Sequence, residues 1–243
     1  MLHNVKKRRA EWEAENRAAQ KNIGELITFA AFFGSMLFLG IVVFTGMFEE
    51  DRLHEQGMTA PDFLIIAGMH VWLLFWALFF TKIFKNTFKQ IGFGVPSRIV
   101  DIAIGVLAGT LLYFALSGVQ FLLLRIFPST FLELEDTLIP GSGFYIGLAV
   151  LISFTAGVSE EVLYRGYANM VIFKYTGSRL LCISVLSLAF GATHLYQGLT
   201  GVIVTTLFAF AMHGVFYFRF SLLGAITAHI VYDLFATLTQ SVW

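Results

Sequence analysis

Eight side chains carry a charge or a titratable ring inside otherwise apolar stretches of this chain: His70, Glu160, Glu161, Arg165, His194, His213, His229 and Asp233. Such groups are expensive in hydrocarbon and persist where they face one another or a water-filled cavity. Glu161 and Arg165 are four residues apart, so on a helix they share a face and can cancel charge. His229 and Asp233 have the same spacing, which sets a carboxylate one turn from an imidazole. Glu160 lies about 100° around a helix from Glu161. It has no local cation, and its partners are expected to be histidines on other helices. Glu160, His194, His229 and Asp233 brought together could do two kinds of chemistry. One is proton or ion conduction; the other is hydrolysis with a carboxylate as general base. A lone intramembrane histidine is ordinarily a hydrogen-bonded packing residue, and His70 and His213 are assigned that role.

The elements that must position these groups follow from composition. The chain is 57% hydrophobic and 13% charged, against about a quarter charged for soluble domains. An all-α, polytopic transmembrane helix bundle is expected. A spanning helix needs about 20 apolar residues, and seven runs qualify or nearly so: 23–48, 61–81, 102–124, 144–173, 180–195, 199–218 and 222–238. Seven membrane helices are predicted, with the site between the last four; an eight-helix alternative breaks the long fourth run near Gly157. Residues 1–22 are read as a charged cytoplasmic helix near the lipid headgroups and 23–243 as a single transmembrane domain. Net charge is zero and implies no nucleic-acid partner. The lone Cys182 excludes an intramolecular disulfide.

Lys and Arg placement sets the expected orientation. With the N-terminus in the cytoplasm and seven crossings, that side collects Lys6, Lys7, Arg8, Arg9, Arg17, Lys21, Lys82, Lys85, Lys89, Arg98, Lys174, Arg179 and Arg219. The far side keeps Arg52 and Arg125, and Trp243 ends there. The plasma (inner) membrane is the expected location. Depth is less well behaved. Glu160 and His194 each lie about 17 residues from the turn at Thr176–Gly177, hence at a common level roughly 25 Å above it. His229 is only about ten residues from Arg219, roughly 15 Å. Straight helices cannot bring it level; Gly157, Gly166 and Gly191 are places where bending is allowed.

Three short motifs carry a family resemblance. "EEVLYR" (Glu160 to Arg165) fits Glu-Glu-x-x-x-Arg, "FGATH" (ending at His194) fits Phe-x-x-x-His, and "HIVYD" (His229 to Asp233) fits His-x-x-x-Asn/Asp. Their order and gaps resemble the CPBP family of intramembrane proteases, which includes the CAAX prenyl endopeptidases and bacterial relatives, some tied to bacteriocin self-immunity. The resemblance covers about 144–238. It implies that Glu160 polarises a water, that His194 holds it, and that His229 with Asp233 stabilises an oxyanion. Glu161 and Arg165 would shape the site. Asp233 departs from the Asn of the prenyl endopeptidases: an ionised Asp cannot donate a hydrogen bond. Asp233 is therefore expected to orient His229, which then donates as imidazolium.

The resemblance leaves the catalytic type open. No cofactor is favoured, and zinc held by Glu160, His194, His229 and Asp233 is the alternative, although the HExxH helix of many zinc proteases is missing. The expected activity is CAAX-type endopeptidase cleavage of a membrane-embedded or lipid-modified protein by glutamate-activated water. The partners would be that protein or peptide substrate and the bilayer. A catalytically silent membrane peptide-binding or immunity protein, and a proton or ion carrier, are the competing readings.

Overall fold

The computed structural model describes residues 2–47, 58–94, 97–127 and 143–240, and the side chains of 5–43, 58–94, 97–127 and 143–239. Arg52 and Trp243 lie outside the described residues. Among those residues the elements are helical: α1 (Leu2–Ala18), α2 (Ile23–Met47), α3 (Ala60–Ile83), α4 (Arg98–Ile126), α5 (Gly143–Glu160), α6 (Asn169–Thr176), α7 (Arg179–Ala192), α8 (Gly198–Arg219) and α9 (Leu222–Gln240). A π-helical stretch, Glu161–Ala168, joins α5 to α6 without a break. The eight-helix alternative is therefore not what the chain does at Gly157, where the helix runs straight on.

Six of the seven apolar runs form helices long and apolar enough to cross a membrane. The exception is α7, whose 14 residues rise about 21 Å against a hydrocarbon core of roughly 30 Å. Its helix stops at Ala192, and His194 falls in the irregular segment that leads through a short 3₁₀ turn, Leu195–Gln197, into α8. Irregular backbone at membrane depth is tolerated where it lines a cavity.

The helix carrying His229 and Asp233 is wedged by glycines. A Cβ added at Gly105 of α4 would meet the Gly224 carbonyl oxygen at 2.6 Å, and one at Gly109 would meet the Ala228 carbonyl oxygen at 2.3 Å. On the other side, a Cβ at Gly157 of α5 would meet Ile230 at 2.6 Å. The four-residue glycine spacing of α4 is the small-residue pattern that lets membrane helices approach closely. Here it sets α9 against α4, with α5 closing from the opposite side.

Depth is reconciled by where α9 begins. The segment after α3 folds back under the bundle: Ile91 is fully buried, and the Gly92 carbonyl accepts a 2.9 Å hydrogen bond from the Leu222 amide. Gly92 sits at φ +96°, a conformation glycine adopts freely, and a side chain there would strike Phe216. Leu222 thus starts α9 well inside the bundle, at the level of Gly166 on the π-helical stretch. Glu160 is six residues above Gly166 and His229 seven above Leu222, about 10 Å in each case.

Helix α1 covers this end of the molecule. Arg8, Trp12 and Asn16 recur every fourth residue, so they share one face, and all three are buried. Trp12 packs on Phe173 (4.8 Å between centroids) and Phe220 (5.5 Å), and its Nε1 donates to the Gln90 carbonyl at 2.7 Å. Arg8 lies 3.6 Å from Asp101, which also pairs with Arg219. Glu13 meets Arg179, and Glu15 meets Lys89. Next to α1, Lys174 is buried against Glu25 at 2.7 Å, with Asn86 bridging both. Arg8, Lys89, Lys174, Arg179 and Arg219, which the sequence places on one side of the membrane, are thus gathered around one end of the bundle.

Gly109→Val should lower the melting temperature of the detergent-solubilised protein, because an added side chain cannot be accommodated against the α9 backbone. Overpacking of this kind costs about 1–3 kcal/mol. A thermal unfolding scan beside Gly118→Val, whose added Cβ meets nothing within 4 Å, separates tight packing from a general dislike of valine on α4.

Candidate active site

The α5–π junction splits the two adjacent glutamates. Glu160 closes the α-helical part and Glu161 opens the π-helical part. π-bulges are common at functional sites, and at this junction the two carboxylates lie toward opposite nitrogens of one ring. The Glu161 Oε1 accepts from His229 Nδ1 at 2.8 Å. The Glu160 Oε2 lies 3.8 Å from His229 Nε2, too far for a direct hydrogen bond. Asp233 Oδ2 stands 3.5 Å from the same Nε2.

Glu161 has a second duty. Its Oε1 also accepts from Arg165 Nη1 at 2.9 Å, and both side chains are fully buried. The guanidinium donates from Nη2 to the Ala209 carbonyl at 3.0 Å and stacks over Phe190 at 5.2 Å. The i,i+4 pair expected from the sequence is present, and it extends to a third helix through His229.

His194 lies at the open end of α7. Its Nδ1 is 2.9 Å from the Phe190 carbonyl oxygen, which can only accept, so that nitrogen carries the proton. Its ring stacks on Phe190 at 4.8 Å between centroids. Nε2 is the nitrogen left for the cavity. Glu160, His194, His229 and Asp233 all line one cavity of about 810 Å³. The four are brought together as expected.

The geometry adds two contacts to the reading from sequence. The close contact that orients His229 comes from Glu161 on Nδ1, while Asp233 stands on the cavity side of Nε2. Sequence spacing could not separate these, because Glu161 reaches His229 across 68 residues. His70, assigned to packing, meets the Glu160 carboxylate instead: its Nε2 is 3.3 Å from Oε1. The sequence pointed Glu160 at histidines on other helices, but no spacing singled out His70, since α3 carries no titratable partner one turn away. His213 does pack, its Nδ1 bonded to the Ala209 carbonyl at 3.0 Å and Ser187 Oγ at 3.3 Å.

The zinc alternative meets a poor fit. Among the described residues no three His, Cys, Asp or Glu side chains are placed to hold a metal ion.

The cavity wall is largely apolar, with Gln120, Ser153, Thr193, Gln197 and Thr205 among its further polar members, and it includes Leu39 of α2 and Ile65 and Trp72 of α3. These three are 46%, 51% and 44% exposed, so the wall that α2 and α3 give the cavity is incompletely covered by the described residues.

Residues 142–235 match the family described as Rce1-like, type II CAAX prenyl endopeptidase. No curated protein and no solved structure matches the chain. Six helices are long and apolar enough to cross a membrane, and residues 142–235 are similar to that endopeptidase family.

Arg165→Ala would leave the Glu161 carboxylate buried without its cation. Breaking one half of a buried ion pair costs about 3–5 kcal/mol, so the variant should accumulate poorly and unfold at lower temperature. Western blotting of membranes and a detergent melting curve check this. Normal yield and stability would mean that water reaches the pair.

Proposed function

We propose, from the match of residues 142–235 to the Rce1-like family and the three motifs that resemble CPBP proteases, that this chain is an intramembrane endopeptidase driven by glutamate-activated water. The observation that carries the reading is the 3.8 Å gap between Glu160 Oε2 and His229 Nε2. With no direct hydrogen bond across that gap, Oε2 is free to hold a water while Nε2 is free to meet a substrate carbonyl oxygen beside it. Glu160 takes a proton from that water as its oxygen attacks the scissile carbonyl carbon, and the carbonyl oxygen becomes an oxyanion. His194 Nε2 holds the water. His229 commits Nδ1–H to Glu161, so donation to the oxyanion from Nε2 requires the doubly protonated ring, with Asp233 beside that nitrogen. When the intermediate collapses, the C–N bond breaks and Glu160 passes its proton to the leaving amine. Donors fixed in a low-dielectric cleft stabilise such charge strongly.

The cavity's incompletely covered wall at α2 and α3 supports access from the lipid for a hydrophobic substrate: a membrane-embedded peptide or one carrying a lipid. We assign residues 23–243 to a single transmembrane domain, with 1–22 as its charged N-terminal segment. The basic end around α1 faces the cytoplasm of a plasma (inner) membrane, following the excess of Lys and Arg there.

The test uses purified enzyme in nanodiscs with two quenched peptides, one bearing a farnesylated CAAX terminus and one a transmembrane sequence. Cleavage is expected by mass spectrometry. Glu160→Gln keeps the side-chain shape and removes the base, and should reduce turnover by more than about 100-fold with an unchanged melting curve. Full activity in that variant would remove Glu160 from the role of base. Binding of either peptide without cleavage by the unmodified protein would favour the silent binder.

Orientation has its own check. A cysteine replacing Lys85 in a Cys182→Ser background should react with an impermeant maleimide in inside-out vesicles only. Labelling in intact cells would reverse the assignment.

A further inference from the structure

We infer that His70 is a positioning residue for Glu160, holding one carboxylate oxygen so that the other faces the reacting water. The inference rests on the proteolytic reading above for its consequence, but not for its geometry.

Three observations carry it. His70 projects from α3, a helix outside the three sequence motifs and outside the matched residues 142–235. Its Nε2 lies 3.3 Å from Glu160 Oε1, and both residues line the same cavity. Its Nδ1 is buried and has no hydrogen-bond partner. A carboxylate is an acceptor only, so the bond to Oε1 needs the proton on Nε2. An unsatisfied buried N–H is costly, so the partnerless Nδ1 is best left as a bare lone pair. Both conditions select the same neutral tautomer, protonated at Nε2. His70 is then a single-donor clamp with no second hydrogen bond to divert it.

The clamp divides the carboxylate. Oε1 accepts from His70, and Oε2 is left toward His229 Nε2, on the side where the water is activated. Without the clamp, the Glu160 side chain can rotate and either oxygen can turn away. Glu160 lies at the end of α5 and has no cation one turn along its own helix, so α3 supplies the restraint from outside. The location also links activity to the wall at α2 and α3: displacement of α3 by a substrate would move the restraint on the base.

Two variants of similar volume isolate the donor. His70→Gln keeps an N–H near the position of Nε2, and His70→Met removes it. With the farnesylated or transmembrane peptide as probe, His70→Met should lose roughly 10- to 100-fold in kcat, the scale of a misplaced reacting group. KM should be unchanged, and His70→Gln should stay within about threefold of the unmodified enzyme. Full activity in His70→Met, beside an inactive Glu160→Gln, would overturn the inference while leaving the base in place. Equal losses in His70→Gln and His70→Met would overturn the donor role in favour of packing. If His70→Met does not accumulate, or neither peptide is cut, the ring nitrogens of ¹⁵N-histidine-labelled protein decide the matter. The His70 signal, identified by its loss in His70→Gln, should show the proton on Nε2 and should shift in Glu160→Gln. A ring with its proton on Nδ1 alone, or one indifferent to Glu160→Gln, would overturn the inference whatever becomes of the proteolytic reading.

Discussion

One oxygen atom, Oε1 of Glu161, accepts both from Arg165 and from His229. Everything around the site is arranged to make that oxygen affordable in a bilayer. A buried carboxylate needs a cation close by, and here the hydrogen bonds fall on Oε1, Oε2 being buried without a partner among the described residues. Arg165 supplies the charge from the same helix, and Phe190 and the Ala209 carbonyl hold the guanidinium from α7 and α8. His229 then becomes part of the same network, so that α5, α7, α8 and α9 are tied around a single ion pair. Glu160 can remain outside that network and face the cavity.

The packing of α9 answers to the same constraint. His229 must reach the π-helical stretch closely enough for a 2.8 Å bond, and interhelical distances of 8–10 Å are usual when side chains intervene. Gly105, Gly109 and Gly157 remove the side chains that would hold α9 away. The approach of backbones comes first, and the placement of the imidazole is its result. Beneath, the turned-in segment around Ile91 and Gly92 supports the early start of α9. Helix α1 covers that support with Trp12 and closes it with the Arg8, Asp101 and Arg219 group. The charged N-terminal segment is accordingly a packed component of the bundle, in addition to any part it has in orientation.

The cavity is shaped by a contrast between two ends of the bundle. Near α1, α2 is secured by Glu25 to Lys174 and Asn86, and by Phe29 and Phe33 against Tyr167 and Tyr164. Further along, its residues Met36, Leu39 and Gly40 line open volume instead. The result is a largely hydrophobic space with titratable groups on one side. That combination suits a substrate with an apolar anchor and a polar bond to be broken.

Much of this was legible in the residues alone. Apolar runs reveal helices because the bilayer demands about 20 such residues, and charges inside those runs stand out because hydrocarbon penalises them. Spacing of four identified the Glu161–Arg165 and His229–Asp233 pairs, since one helix turn is a local property of the chain. What spacing cannot encode is contact between helices. The short α7, the deep start of α9, the bond from Glu161 to His229 and the approach of His70 to Glu160 all depend on how helices distant in sequence pack. Their cause lies in glycine contacts and a turned-in loop whose partners are tens of residues away. Sequence alone therefore determined which groups must be sheltered from lipid, because that follows from their chemistry. Only the tertiary structure decided which oxygen faces which nitrogen, because that depends on the separation and winding of packed helices.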